Sequence, residues 1–134
     1  MAEREPESNI EIVWADWLDA IRCGDIERLA RRITPTTVHR GVHPELICRN
    51  GAEVVENARS SSEQLPQVGA IELIAAGDHV VLGIRAPDIG PEGEQGQIFV
   101  VFTLRDGLIV EIQDYLVRGD ALAAAGAADP PGWR

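Results

Sequence analysis

Arg105-Asp106-Gly107-Leu108-Ile109-Val110-Glu111-Ile112-Gln113-Asp114-Tyr115 is the stretch from which the fold can be read. Asp-Gly between two apolar runs is the strongest short-range signal for a two-residue hairpin, because both positions tolerate the left-handed backbone such a turn needs. The run after it, Leu108–Val117, alternates with period two. Val110, Ile112 and Leu116 point to one face, and Glu111, Gln113 and Tyr115 to the other. Asp114 falls on the apolar face, where the alternation calls for a hydrophobe. A carboxylate in that position has to be hydrogen-bonded, paired with an arginine or kept neutral. If that face lines a cavity, Asp114 is a natural general acid or base. If instead the strand bends near its end, Asp114 meets water or caps a neighbouring backbone.

Moving outward from the hairpin, the stretches Ala70–Ala75, His79–Ala86 and Gln97–Arg105 read as further long strands. Their joints are Gly77-Asp78 and a loop rich in Pro, Gly and Glu from Pro87 to Gly96. The region before them is helical. Ser8 and Glu11 fit a capping box, and Ile10, Val13, Trp14, Trp17, Leu18 and Ile21 fall on one broad helical face. Gly24 stops this helix, and Asp25 caps a second whose buried side is Ile26, Leu29, Ala30 and Ile33, ended by Pro35. Thr36–His39 is a short β-prone piece, Gly41–Arg49 a loop, and Asn50 with Glu53 opens a third helix to about Arg59. Helices followed by an antiparallel meander make an α+β fold of one domain, residues 9–122, between tails at 1–8 and 123–134.

The composition excludes several kinds of function. The 134 residues carry a net charge of −10, and all twelve basic residues are arginine. A chain without lysine cannot form a Schiff base or supply the lysine of a phosphate-binding loop. The acidic balance argues against nucleic acid or an anionic membrane as partner, and no apolar run approaches the roughly 20 residues of a membrane span. Cys23 and Cys48, without a CxxC pattern, read as reduced thiols of a cytoplasmic protein. No GxSxG, GxGxxG or Walker-type loop is present.

Beside Asp114, the candidate site residues are Arg85 and His39. Arg85 lies in phase with Val81 and Gly83, opposite Val80, Leu82 and Ile84. Near Asp114 its guanidinium would hold the carboxylate ionised or steady an oxyanion; on a solvent face it would do neither. His39 and His43 flank Gly41 and can titrate near neutrality or donate to a ligand, while their strand-loop spacing is poor for a metal site. Asp88, in a Pro-Asp turn, is a secondary candidate together with His43. Trp14, Trp17, Phe99, Val101, Val110, Ile112 and Leu116 are expected to wall the pocket.

The order of elements resembles the NTF2-like superfamily, most closely its SnoaL-like branch. The resemblance rests on the Trp-bearing helix closed by Gly24-Asp25, the short strand, the Asn50-Gly51 helix, and the meander ending Asp106-Gly107 to Asp114-Tyr115. It covers about residues 9–122. It implies three helices packed in a strongly bent antiparallel sheet, a cone whose open end holds a largely apolar pocket. It also implies a homodimer through the sheet. Among the superfamily's activities, the epoxide hydrolase pattern matches Asp114 as its final-strand aspartate. Its Arg-x-Asp pair resembles Arg85 and Asp88, here with one more residue between them, and its water-holding tyrosine and asparagine would fall at His39 and Gly41. In the cyclases a last-strand aspartate acts as acid and base, again matching Asp114. The ketosteroid isomerase pattern does not carry over, since Arg40 and Val100 or Val101 stand at its acidic positions. The resemblance therefore implies binding of a small hydrophobic organic molecule and cofactor-free acid–base chemistry, with Asp114 as the proton-transfer residue. The same fold also serves as a non-catalytic ligand-binding or dimeric assembly module, and that alternative stays open.

Overall fold

A computed structural model of the chain describes residues 6–43, 45, 47–62, 70–85 and 96–127. Asp106 and Gly107 both take positive φ, 55° and 81°, the pair of left-handed conformations a tight hairpin requires. They join β5 (Gln97–Arg105) to β6 (Leu108–Tyr115), while β3 (Ala70–Ala76) and β4 (His79–Arg85) complete the antiparallel meander. On its other side β6 meets β1 (Ile33–Arg40), and here the pairing is parallel. Val38, His39 and Arg40 stand beside Glu111, Ile112 and Gln113. The two-residue β2 (Ile47–Cys48) closes that edge, giving the order β2-β1-β6-β5-β4-β3 in a curved, unclosed sheet. The wholly antiparallel expectation is corrected at this one pair. No hairpin joins β1 to β6, so no turn dictates their relative direction.

The first helical stretch runs on from α1 (Pro6–Val13) through a π-helical turn (Trp14–Asp19) into α2 (Ala20–Cys23). The widened turn slips the helical phase. Before it Ile12 and Val13 face inward, and after it Trp17, Leu18, Ala20 and Ile21 do. Trp14, which a uniform helix would bury, is 42% exposed. Gly24 ends the stretch at φ 75°, and Asp25 accepts the Arg28 N–H as the cap of α3 (Ile26–Ala30). That helix is shorter than its apolar pattern suggests, since Ile33 already belongs to β1 and Pro35 lies inside that strand. At α4 (Gly51–Ser62), Asn50 Oδ1 accepts the Glu53 N–H, and the Glu53 carboxylate reaches back to the Arg49 N–H. Gly51 is needed there because a Cβ would run into the Thr34 carbonyl of β1.

These helices cover one face of the sheet. Trp17, Leu18, Ile21, Leu29 and Val54 pack on Val80, Leu82, Val100, Phe102, Ile109 and Ile112. The opposite face carries a second, smaller core, in which Val81, Phe99 and Val101 lie beneath Ala121, Leu122 and Ala125 of α5 (Arg118–Ala125). The Arg118 guanidinium grips both carboxylate oxygens of Glu72 at 3.0 and 2.7 Å, fastening α5 to β3. The strands are apolar on both faces because the chain supplies its own cover for the second one. No helix among the described residues is long and apolar enough to cross a membrane.

Two polar devices tie the halves of the chain together. The register of β1 on β6 slips between Ile33 and Val38, and Thr37 fills the gap. Fully buried, it donates to the Ile109 carbonyl at 2.7 Å and accepts the Thr34 N–H at 2.8 Å. Asp16, on the π-helical turn, accepts from Arg28 Nε at 2.9 Å and Arg32 Nε at 2.8 Å, and Arg32 also donates to the Gly107 carbonyl. Burial works to raise the Asp16 carboxyl, but the hydrogen bonds from Arg32 and Arg28 outweigh it and hold it below the usual value.

Thr37→Val keeps the shape but strands a buried carbonyl and a part-buried N–H, so urea denaturation should show a loss of about 1–3 kcal/mol. Because the Asp16 pKa is depressed in the folded chain, its stabilisation is complete above the unfolded carboxylate range and disappears as pH falls through the folded value. Asp16→Asn should therefore lower the urea midpoint at neutral pH, and its deficit relative to wild type should fade below about pH 4.

Candidate functional site

Parallel pairing sets His39 beside Ile112, so the residue two further along β6, Asp114, lies on the same face as His39. That face is the helical one, since Asp114 stands opposite the buried Val100 of β5. His39 Nε2 and Asp114 Oδ1 are 2.9 Å apart, with 12% and 18% of their side chains exposed. The second carboxylate oxygen of Asp114 makes no hydrogen bond to a described residue. His39 Nδ1 is buried and has no hydrogen-bond partner among the described residues either. Trp17 meets the imidazole edge-on, with centroids 6.2 Å apart at 68°, and rests in turn on Phe102 at 5.2 Å and 72°.

The pair forms one wall of a half-open cleft of about 340 Å³, whose other walls are Gly41, Glu45, Ile47, Cys48 and Asn57. Cys48 is paired across the ladder with His39. Burial, together with the negative charges of Glu53 and Asp114, pushes its thiol up, so it faces the cleft protonated rather than as a nucleophilic thiolate. The lining is mixed in polarity, against an expectation of a mostly hydrophobic pocket.

The sequence-derived candidates are distributed as follows. Asp114 and His39 come together, but Arg85 does not join them. On β4, Val80, Leu82 and Ile84 face the helices, which turns Arg85 with Val81 and Gly83 to the α5 side, so the sheet stands between it and Asp114. Phe99 and Val101 are likewise corrected to the α5 core rather than the pocket. Val110 loses its phase to a bulge. Thr103 pairs with Glu111 but Leu104 with Ile109, leaving Val110 as the extra residue and burying Ile109 in its place. Leu116 lies past the end of β6 and Trp14 on the outside of the π-helical turn, both exposed. Ile112 and Trp17 are core residues directly under the dyad. His43 is exposed in the loop after β1 and does not line the cleft, and Asp88 lies outside the described residues. Among the described residues no three His, Cys, Asp or Glu side chains are grouped so as to share a metal ion. Asn57, Cys48 and Glu45 went unrecognised. Asn57 had a readable signal, since it follows Val54 by three on α4 and so borders that helix's inward face.

No family model matches the chain, and no curated protein does. Solved structures do resemble it. An NTF2-like protein of unknown function from Mesorhizobium loti superposes with a TM-score of 0.67 at 19% identity, covering 86% of this chain and 95% of that one. An LEH-like epoxide hydrolase of M. tuberculosis gives 0.63 at 22% identity, over 89% and 90% of the two chains. A protein assigned as a SnoaL-like polyketide cyclase from Jannaschia sp. CCS1 gives 0.61 at 20% identity, over 97% of this chain and the whole of the other. With the helices on one face of a curved six-stranded sheet, and the dyad on β1 and β6 beneath them, the chain has the NTF2-like fold.

Proposed function

We propose that the chain catalyses cofactor-free proton transfer on a small carbonyl compound held in the cleft, with Asp114 as the acid and base. The observation that carries this reading is the asymmetry of the Asp114 carboxylate. One oxygen is held by His39 at 2.9 Å, and the other has no partner among the described residues although Asp114 lines the cleft. A carboxylate so placed takes a proton from the carbon next to a carbonyl, forming an enolate, and returns a proton to the carbon skeleton in the following step. The developing oxyanion needs a donor, and the Asn57 amide shares the same cleft. A half-open cleft of about 340 Å³ has room for a small organic molecule.

Epoxide hydrolysis is the weaker reading for this chain. A neighbour of similar fold is an LEH-like epoxide hydrolase, but here the arginine candidate, Arg85, stands on the far side of the sheet from Asp114. A purely ligand-binding role would use the same cleft without needing a free carboxylate oxygen.

Exchange of ketone α-protons in D2O, followed by proton NMR with cyclohexanone-sized ketones, tests the reading. The wild type should accelerate exchange, and Asp114→Asn should lose about 100-fold or more of that acceleration. Wild-type exchange no faster than buffer, or full activity in Asp114→Asn, overturns it. Asp114-dependent opening of a small epoxide in a parallel assay would return the hydrolase reading to first place.

A further inference from the structure

The buried Nδ1 of His39, without a partner among the described residues, and the aromatic edge of Trp17 against its ring have a common explanation. We infer that Trp17, carried on the π-helical turn, is a positioning residue for Asp114, acting through His39, and that it fixes the imidazole in a single Nε2–H tautomer. This deepens the proton-transfer reading and rests on it for its catalytic consequence.

A neutral imidazole ring carries one N–H donor and one acceptor nitrogen. Asp114 Oδ1, 2.9 Å from Nε2, accepts only, so the proton belongs on Nε2. Nδ1 is buried with no acceptor among the described residues, so a proton moved there would be a buried donor without a partner. That asymmetry holds only while the ring keeps its orientation. A flip about its Cβ–Cγ bond would carry Nδ1 and Nε2 to new places.

Trp17 opposes such a flip. Its indole meets the imidazole at 68°, is 7% exposed, and is backed by Phe102 at 5.2 Å, so it has little room to yield. The π-helical turn brings it there. The phase slip between Val13 and Trp17 keeps Trp17 in the core while expelling Trp14. The turn is itself held from outside by Arg28 and Arg32 on Asp16. The charged and titratable groups that share the cleft with the ring are Asp114 on β6, Cys48 on β2 and Glu45 in the loop before it, while Glu53 on α4 acts on Cys48. Of these only Asp114 is hydrogen-bonded to it. His39 is therefore a fixed donor that occupies Oδ1 and leaves the other oxygen to the substrate.

Two-bond proton–nitrogen NMR spectra of the full chain read the tautomer without any substrate. Wild-type His39 should show a pyrrole-like Nε2 and a pyridine-like Nδ1 at neutral pH. Trp17→Leu should give averaged nitrogen shifts and roughly tenfold slower ketone exchange, mostly in kcat rather than KM, as expected when a reacting group is misplaced. Trp17→Phe, which restores an aromatic edge, should recover the single tautomer and most of the rate. A wild-type Nδ1–H tautomer or a mixture overturns the inference, and so does a folded Trp17→Leu with the wild-type spectrum and rate. If Trp17→Leu does not fold, the wild-type spectrum and Trp17→Phe still decide it. If the wild type exchanges no ketone at all, the proton-transfer reading fails while the tautomer result stands or falls by itself.

Discussion

The site depends on the parallel contact between β1 and β6. It joins a strand from the first third of the chain to one near its end, and it sets His39 against Asp114 across 75 residues of sequence. Parallel neighbours gain no help from a connecting turn, so the pairing must be held by something else. Here that is Thr37, whose hydroxyl bridges the gap in the ladder to the Ile109 carbonyl. The same gap accommodates Pro35, which has no N–H to give to a ladder. Above it, Gly51 lets α4 approach the Thr34 backbone, and Asn57 on that helix then reaches the cleft. The geometry of the candidate site is thus a consequence of packing on an irregular stretch of strand.

Local signals in the sequence were mostly reliable guides to local structure, the exception being Ser8, expected as a cap, which lies inside a helix that already begins at Pro6. Asp106-Gly107, Gly24-Asp25 and Asn50 with Glu53 each specify a turn or a cap by chemistry confined to a few residues, and each does so here. Asp114 was legible for a related reason. A carboxylate breaking a run of period two is visible whatever the strand pairs with, and its neighbour Ile112 is indeed buried on its face. Its partner His39 could be singled out as a residue but not paired with it, since nothing local tells β1 which strand to join or in which direction.

The readings that failed did so where a regular period was assumed to persist. A bulge removes Val110 from the face of Ile112, and a π-helical turn removes Trp14 from the face of Trp17. In each case one residue is added to a repeat without any composition to mark it. Arg85 failed differently. Its phase opposite Val80, Leu82 and Ile84 was readable, but which face of β4 carries the helices is decided by the whole sheet. The Phe99 and Val101 assignments failed for the same reason, because α5 provides a second core that a single-sided sheet would not need.

The parallel β1–β6 contact also bears on how the molecule comes into being. During synthesis β1 leaves the ribosome long before β6 exists, and in that interval α4 and the β3–β4 hairpin must wait beside an unpaired strand edge. Contacts of such long sequence separation are entropically costly and form late. The dyad is therefore absent from every nascent form of the chain that stops short of Asp114. A product that ends before β6 would lack the candidate site, since β6 completes the ladder with β1, accepts the Thr37 hydroxyl and brings Asp114 to His39.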